Sequence, residues 1–230
     1  MLLFYCISNM KQKVIILGGV GNGTVITQAI LDATMRGQCN LEVAGYLSDR
    51  MEIGEMIEGY PVVAKTCPES IAKFTKEGYK FIYTVYRIDG QAERLKLFDD
   101  LGLNESNLAT FIHPTAYVAP DVVIEPGVVV MPYVMISAAA HLCLGTIVMT
   151  GATIGHNTTI GRNGHIASQA VVGAYIETGR GVHIGLNCCI REHLKIGNCG
   201  VVGMGAVQTK DVGDNEIWAG NPSRFLRNVQ

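Results

Sequence analysis

Residues 148–184 read VMTGATIGHNTTIGRNGHIASQAVVGAYIETGRGVHI, a stretch in which an aliphatic side chain returns at almost every sixth position. The same phase extends in both directions along the chain, and glycine often follows the aliphatic residue. Because a six-residue period is too short for a helical repeat, it indicates a solenoid in which each hexapeptide forms one flat side and one corner. The phased positions are Val118, Ile124, Val130, Ile136, Leu142, Val148, Ile154, Ile160, Ile166, Val172, Thr178, Ile184, Ile190, Ile196 and Val202, of which only Thr178 is not aliphatic.

Three hexapeptides complete one coil, so each phased side chain points inward and stacks on its equivalent 18 residues away. Fifteen phased positions predict five coils, roughly 24 Å tall at the usual strand spacing. We expect this parallel β-helix to begin near His113 and Pro114 and to end near Val207, with the segment AGNPSRFLR (219–227) as its cap. An ordinary β-sandwich would instead alternate with a period of two and carry turn signals about every 8–12 residues.

The first half of the chain follows a different pattern, in which strand-like and helix-like segments alternate. This alternation is typical of a small parallel α/β sheet, and we predict a Rossmann-like domain over residues 10–108 and a β-helix domain over residues 109–230. Strands are expected at 13–17, 41–47 and 80–85, and helices at 24–35, 70–76 and 91–101. The cluster GGVGNG lies between the first strand and the first helix, where a phosphate can bind at a helix N-terminus.

Composition limits the classes of function. Hydrophobic residues make up 48% of the chain and charged residues 17%, with a formal net charge of −2, so we expect a globular protein and neither nucleic acid nor a membrane as a partner. The apolar N-terminal run MLLFYCIS is too short to span a bilayer, and we expect Met10 rather than Met1 to be the true start. Seven cysteines without a C-x-x-C pair or a zinc-like spacing predict reduced thiols in the cytoplasm and no metal site.

Four segments of the second half resemble the hexapeptide-repeat acyltransferases: GHNTTIG (155–161), HIASQAVVGA (165–174), VVGMGAVQTKDV (201–212) and AGNPSRFLR. With the GGVGNG-led first half, the whole chain resembles the two-domain sugar acetyltransferases of the sialic-acid O-acetyltransferase and bacillosamine N-acetyltransferase type. The resemblance implies a left-handed β-helix, a homotrimer, acetyl-CoA in the groove between subunits, and a nucleotide-linked or free sugar at the N-terminal domain. It leaves the acceptor sugar open.

The same resemblance implies roles for individual residues. His156 corresponds to the general base, for which a neutral imidazole is suited, and Asn157 stands where the family usually has Asp or Glu. An amide carbonyl can still accept from the ring N–H but adds no negative charge, so we expect a weaker base. The implied acetyl-CoA-binding residues are His165, Gly173, Ala174, Gly203, Gly205, Ala206, Lys210, Asn221, Pro222 and Arg224. The implied sugar-binding residues are Gly18, Gly19, Gly21, Asn22, Gly23 and Asp49.

Two departures from the family surround the expected sugar pocket. Asn22 stands where relatives usually carry histidine, and VYRID (85–89) replaces a small glycine-containing turn. Our first hypothesis is N-acetylation of an amino-sugar nucleotide in the biosynthesis of surface glycans. The alternatives are O-acetylation of a sugar such as a sialic acid, or a non-catalytic assembly subunit of the same fold, since Asn157 replaces an acid.

A third alternative is a zinc enzyme of the same solenoid type. His183 follows His165 by 18 residues and should stack on it, but zinc would need a third imidazole converging on the same point. The AGNP motif and the N-terminal domain argue against this reading.

Overall fold

A computed structural model describes residues 11–230, so both candidate start residues, Met1 and Met10, lie outside the described part. The first domain is a five-stranded sheet of order β3-β4-β2-β1-β5. Its pairs are parallel except for the antiparallel β3–β4 hairpin, which was not expected from the sequence. The elements are β1 Gln12–Leu17, α1 Asn22–Met35, β2 Leu41–Leu47, β3 Met56–Ile57, β4 Tyr60–Ala64, α2 Pro68–Lys76, β5 Lys80–Tyr83 and α3 Gln91–Asp100.

The second half is a parallel β-helix of two-residue strands arranged in three sheets, which we call the docking, apolar and polar faces. The docking face comprises β6 Phe111–Ile112, β9 Val129–Val130, β12 Ile147–Val148, β15 His165–Ile166, β18 His183–Ile184 and β21 Val201–Val202. The apolar face comprises β7 Tyr117–Val118, β10 Met135–Ile136, β13 Thr153–Ile154, β16 Val171–Val172, β19 Cys189–Ile190 and β22 Val207–Gln208. The polar face comprises β8 Val123–Ile124, β11 His141–Leu142, β14 Thr159–Ile160, β17 Glu177–Thr178 and β20 Lys195–Ile196.

The register confirms the expected repeat. Ile154 pairs with Val172 and Ile166 with Ile184, each one coil apart. The solenoid begins earlier than expected, at Phe111, because β6 already pairs with β9 ahead of the His113–Pro114 turn. At the other end β23 Glu216–Ala219 continues the docking face, and β24 Arg224–Asn228 folds back on it antiparallel as a cap.

The core of the β-helix is the stack of phased side chains. Ile154, Ile166 and Ile184 are fully buried, and so are most of their equivalents. Thr178, the one polar member, also faces inward, and its hydroxyl accepts a hydrogen bond from the Gly161 N–H at 2.9 Å. That bond satisfies the buried polar group, which explains why the stack tolerates it.

The N-terminal domain packs on the outside of the docking face. Outward side chains of that face, among them Phe111, Val129 and Ile147, are buried in one hydrophobic cluster with α1 and the five-stranded sheet. Further along the face the outward residues become His165 and His183. Within residues 11–230, no helix combines the length and the apolar character that crossing a membrane requires.

Candidate functional site

A cavity of about 520 Å³ lies at the carboxyl ends of β1, β2 and β5. Ligands of open α/β sheets bind at this position, where the strand order reverses. The chain leaves β1 through Gly18, at φ +131°, and enters α1 through Gly21, at φ +110°. A side chain at Gly18 would place its Cβ 2.5 Å from the Thr84 hydroxyl oxygen, so this position requires glycine.

All six residues that the sequence assigned to the sugar line this cavity: Gly18, Gly19, Gly21, Asn22, Gly23 and Asp49. One carboxylate oxygen of Asp49, Oδ1, has a structural role, because it accepts a hydrogen bond from the Thr66 N–H at 2.8 Å. Arg50, which the sequence analysis did not single out, also lines the cavity and forms no ion pair with any other residue in 11–230. The cavity thus has an exposed cation beside the N-terminus of α1, a favourable combination for an anionic group.

The two departures from the family pattern meet behind the cavity. Asn22 Nδ2 lies 3.2 Å from His165 Nε2, and the Tyr86 hydroxyl lies 2.7 Å from His183 Nδ1. Tyr86 also stacks on His165 with ring centroids 4.1 Å apart, and the two histidine rings are 5.3 Å apart. The expected stacking of His183 on His165 is therefore confirmed, and the pair connects the cavity wall to the docking face.

Both histidines of this cluster are held in the neutral form. Burial lowers the pKa of His165 well below its usual value, and the charges of His183 and Arg94 act in the same direction. Burial, followed by the charge of Arg94, lowers the pKa of His183 to about 4. Arg94 is itself buried and donates from Nη2 to the carbonyl oxygens of Asn163 and Gly181 at 2.9 and 3.1 Å.

His156 lies elsewhere, on the edge where the apolar face turns into the polar face. Its Nδ1 is 2.9 Å from Asn157 Oδ1, an arrangement in which the ring N–H donates to the amide oxygen. The Nε2 atom then carries the lone pair on an exposed imidazole. Tyr175, one coil above Asn157, packs edge-on against the His156 ring with centroids 5.1 Å apart.

Three more of the predicted residues share this edge. Gly173 and Ala174 lie one coil above Gly155 and His156, so close that a Cβ on Gly155 would be 2.6 Å from the Ala174 nitrogen. Within residues 11–230 no acceptor is bonded to the Ala174 N–H. Lys210 lies at the equivalent position three coils above His156, about 14 Å along the edge at the usual strand spacing.

The remaining predicted residues lie on the other edge of the apolar face, where the docking face turns into it. Gly203 and Gly205 lie in one corner at this edge, and Asn221 and Pro222 lie in the corner of the next coil. The peptide bond between Asn221 and Pro222 is cis. Arg224 follows as an exposed cation. Ala206 is fully buried with its methyl group in the core, so it can present only its backbone to the groove.

Within one chain the cavity, His156 and the glycine corner at Gly203 and Gly205 lie far apart. The cavity and His165 lie on the docking face, whereas His156 lies on the edge opposite that face of the triangular prism. The glycine corner at Gly203 and Gly205 lies across the apolar face from His156. Any site that uses all three groups therefore needs a second copy of the chain.

Comparisons with solved structures identify chains of the same architecture. The acetyltransferase domain of PglB from Neisseria gonorrhoeae FA1090, solved with acetyl coenzyme A, superposes with a TM-score of 0.79 at 28% identity, covering 94% of this chain and 100% of that one. Perosamine N-acetyltransferase from Caulobacter crescentus, solved with CoA and GDP-perosamine, gives 0.79 at 23% identity, with 94% and 97% covered. WeeI from Acinetobacter baumannii AYE gives 0.73 at 20% identity, with 94% and 100% covered.

No family model and no curated protein sequence matches the chain. The structural likeness covers nearly the full length of this chain and of its neighbours. The fold is therefore a Rossmann-like N-terminal domain followed by a left-handed parallel β-helix. The alternation of the first half predicted the former, the hexapeptide period predicted the β-helix, and the family resemblance implied its left-handedness.

Tyr86, Arg50 and Tyr175 were missed as site residues, and only the first carried a usable signal. Tyr86 lies in the VYRID segment, already noted as a departure from the family pattern. Arg50 follows Asp49 and reads as an ordinary surface cation. From the sequence, Tyr175 is expected only to lie in a corner of the β-helix. Its contact with the His156 ring becomes evident only when successive coils are aligned in the structure.

Proposed function

We propose that this chain is an acetyl-CoA-dependent N-acetyltransferase that acts on an amino-sugar nucleotide in the biosynthesis of surface glycans. The observation that carries the proposal is the orientation of His156, whose Nδ1 is bound to Asn157 while Nε2 has no partner among residues 11–230. Ala174 lies one coil above His156, and its N–H is likewise without an acceptor in that range. Acyl transfer needs a base for the acceptor and a donor for the carbonyl oxygen. The PglB domain and perosamine N-acetyltransferase, of the same fold, are named for this class of reaction.

In the proposed reaction, His156 Nε2 removes a proton from the sugar amine as the amine nitrogen bonds to the thioester carbonyl carbon. The Ala174 N–H donates to the carbonyl oxygen, on which negative charge develops. Loss of the thiolate breaks the carbon–sulfur bond, and the proton held on His156 neutralises that thiolate. Asn157 holds the ring orientation throughout, without supplying the negative charge of the acid that relatives carry.

Residues 10–108 bind the nucleotide-sugar in this proposal, and residues 109–230 carry out acyl transfer. Arg50 and the N-terminus of α1 form an anion-binding corner of the 520 Å³ cavity, suited to a diphosphate. Gly18, Gly19, Gly21 and Gly23 let the phosphates approach the backbone, and Asn22 and Asp49 contact the rest of the ligand. Acetyl-CoA binds in the groove between adjacent subunits, with Lys210 and Arg224 toward its phosphates and the backbone of Gly203, Gly205 and Asn221–Pro222 beside it.

The protein acts as a homotrimer in this proposal. The outward residues of the apolar face carry no charge, and Tyr117, Met135 and Val171 are 60%, 44% and 44% exposed. A continuous uncharged face of this kind on a single chain favours burial against another copy. Packing this face on a neighbour brings the His156 edge toward the neighbour's cavity, which supplies the convergence that one chain lacks.

The test is a thiol-release assay with acetyl-CoA and a panel of nucleotide amino-sugars, with sialic acid and hydroxyl-only nucleotide sugars alongside. Thiol release that depends on one amino-sugar nucleotide, with the acetyl group on nitrogen by mass spectrometry, is the expected result. Release only with a hydroxyl acceptor would replace N-acetylation by O-acetylation. If the protein binds acetyl-CoA but releases no thiol with any acceptor, the assembly-subunit hypothesis is favoured.

A further inference from the structure

Glu125, His141 and Cys143 meet on the polar face, near the corner where it turns into the docking face and away from the edge that carries His156. The coil register brings them together. Val123 pairs with His141 on adjacent coils, so Glu125 lies one coil below Cys143. His141 and Cys143 are two residues apart and therefore point to the same side of the strand. A search of the sequence for cysteine and histidine spacings misses this cluster, because the third residue comes from the preceding coil.

The three side chains present one ligand atom each, of three different kinds, within 4.8 Å of one another. Glu125 Oε1 lies 2.6 Å from His141 Nε2, and Cys143 Sγ lies 3.9 Å from the same nitrogen. The second carboxylate oxygen accepts the Leu144 N–H at 2.8 Å, which fixes the orientation of the carboxylate. The side chains of His141 and Glu125 are 37% and 33% exposed, so an ion from solvent can reach them.

We propose that Glu125, His141 and Cys143 bind one Zn²⁺ ion per chain. Tetrahedral zinc would set its nitrogen and oxygen ligands roughly 3.4 Å apart and its nitrogen and sulfur ligands roughly 3.6 Å apart. The present separations of 2.6 and 3.9 Å each differ from these by less than about 1 Å. Binding releases the thiol proton of Cys143 and any proton on His141 Nε2 to solvent, and a water molecule takes the fourth position.

The ion would join the first two coils of the solenoid. A terminal coil contacts a neighbour on one side only, so it is the part of a repeat structure that most needs an additional restraint. Leu144 N–H supplies the outer-shell hydrogen bond that such sites commonly have. The proposed zinc takes no part in acyl transfer, and the inference does not depend on the proposed function.

The competing description is a plain Glu125–His141 ion pair with a thiol beside it. The zinc site and the metal-free ion pair differ in metal content and in whether the Cys143 sulfur binds a metal. Co²⁺ reports sulfur binding directly, because a thiolate–cobalt bond gives a charge-transfer band in the near ultraviolet. The full-length protein is treated with a chelator and a non-thiol reductant and then titrated with Co²⁺ alone and Zn²⁺ alone. The metal content of the protein is measured after desalting. Its Tm is measured with and without zinc.

We expect one zinc per chain, a thiolate–cobalt band that zinc removes, and a zinc-dependent rise in Tm of several degrees. Cys143→Ser and His141→Asn should lose all three effects, whereas Cys67→Ser, at a free, half-buried cysteine of the N-terminal domain, should keep them. Glu125→Gln, which can still accept from Leu144, should weaken zinc binding at least tenfold and fold normally by circular dichroism. No zinc above background in the natural sequence, or equal binding by Cys143→Ser, would overturn the proposal.

Discussion

Asn157 determines which nitrogen of His156 is available for proton transfer. Its amide oxygen lies 2.9 Å from Nδ1, so the imidazole keeps its proton there and offers Nε2. His156→Ala should lower turnover by about 10²–10⁴, the usual contribution of a general base, or roughly 3–5 kcal/mol in the barrier. Acetyl-CoA affinity by calorimetry should barely change. His193→Ala, which removes an exposed imidazole two coils above, is the matched control, and an equal loss of turnover there would contradict the assignment.

Asn157→Asp changes only the charge behind the imidazole. A carboxylate beside Nδ1 stabilises the protonated ring and strengthens His156 as a base. The acidic limb of the pH–rate profile should therefore move to higher pH, with plateau turnover equal or greater. An unmoved limb, together with full activity in His156→Ala, would show that the base is another group. Thiol release by Asn157→Asp alone, with none by the natural sequence, would favour the assembly-subunit hypothesis.

The glycine loop between β1 and α1 offers one position where the cavity can be filled without disturbing the fold. Gly18 and Gly21 have positive φ, and Gly23 is packed against Thr84 and Ile16, but Gly19 has neither restriction. Gly19→Leu should therefore weaken binding of the nucleotide-sugar at least tenfold and leave acetyl-CoA binding unchanged, as measured by calorimetry. Gln28→Leu, on the exposed side of α1, is the control. Equal losses of both ligands in Gly19→Leu would mean that the two sites are not separate.

The coils of the β-helix depend on the inward stack for their stability. Ile166 and its neighbours in the stack are fully buried, whereas Val123 on the polar face is 53% exposed. Ile166→Ala should lower the free energy of unfolding by about 2–5 kcal/mol, the cost of a buried aliphatic truncation. Val123→Ala should cost less than about 0.5 kcal/mol. Denaturant unfolding that ranked the two the other way would refute the assignment of inner and outer positions.

Repetition explains why this half of the fold could be predicted from the sequence. Each inward position meets the same steric demand as its equivalents, so a single exception such as Thr178 does not obscure the phase. The β3–β4 hairpin has no such redundancy, and Pro61 makes its second strand read as a turn. The contact between Asn22 and His165, 143 residues apart, arises from how the domain packs on the docking face, which no local pattern encodes. The sequence indicated which residues matter around the cavity but not that two of them meet.

The junction between the two halves should respond to acid. In the folded chain the His183 pKa is about 4, against a usual value of 6.5, with Arg94 facing it and Tyr86 bonded to it. Below pH 6.5 the unfolded chain binds a proton that the folded chain does not, so stability falls as the pH falls from 6.5 to about 4. For His183 alone the loss is about 3 kcal/mol across that window. His183→Gln, whose amide can still accept from Tyr86, should flatten the slope of unfolding free energy against pH, and an unchanged slope would count against the argument.

The division of the site between copies of the chain permits a test that no single variant offers. His156→Ala lacks the base but keeps the cavity, whereas Gly19→Leu keeps the base but binds the nucleotide-sugar poorly. At a nucleotide-sugar concentration well below the natural KM, each variant alone should therefore keep about a tenth of the natural rate or less. If one copy's His156 serves its neighbour's cavity, co-expression of the two variants at equal levels restores one competent pairing in four, or about a quarter of the natural rate. Co-expression of His156→Ala with His156→Gln cannot restore a base and is the control. Mixtures no more active than the single variants, whose native mass spectra show mixed trimers, would mean that the base and the cavity do not work across the subunit boundary.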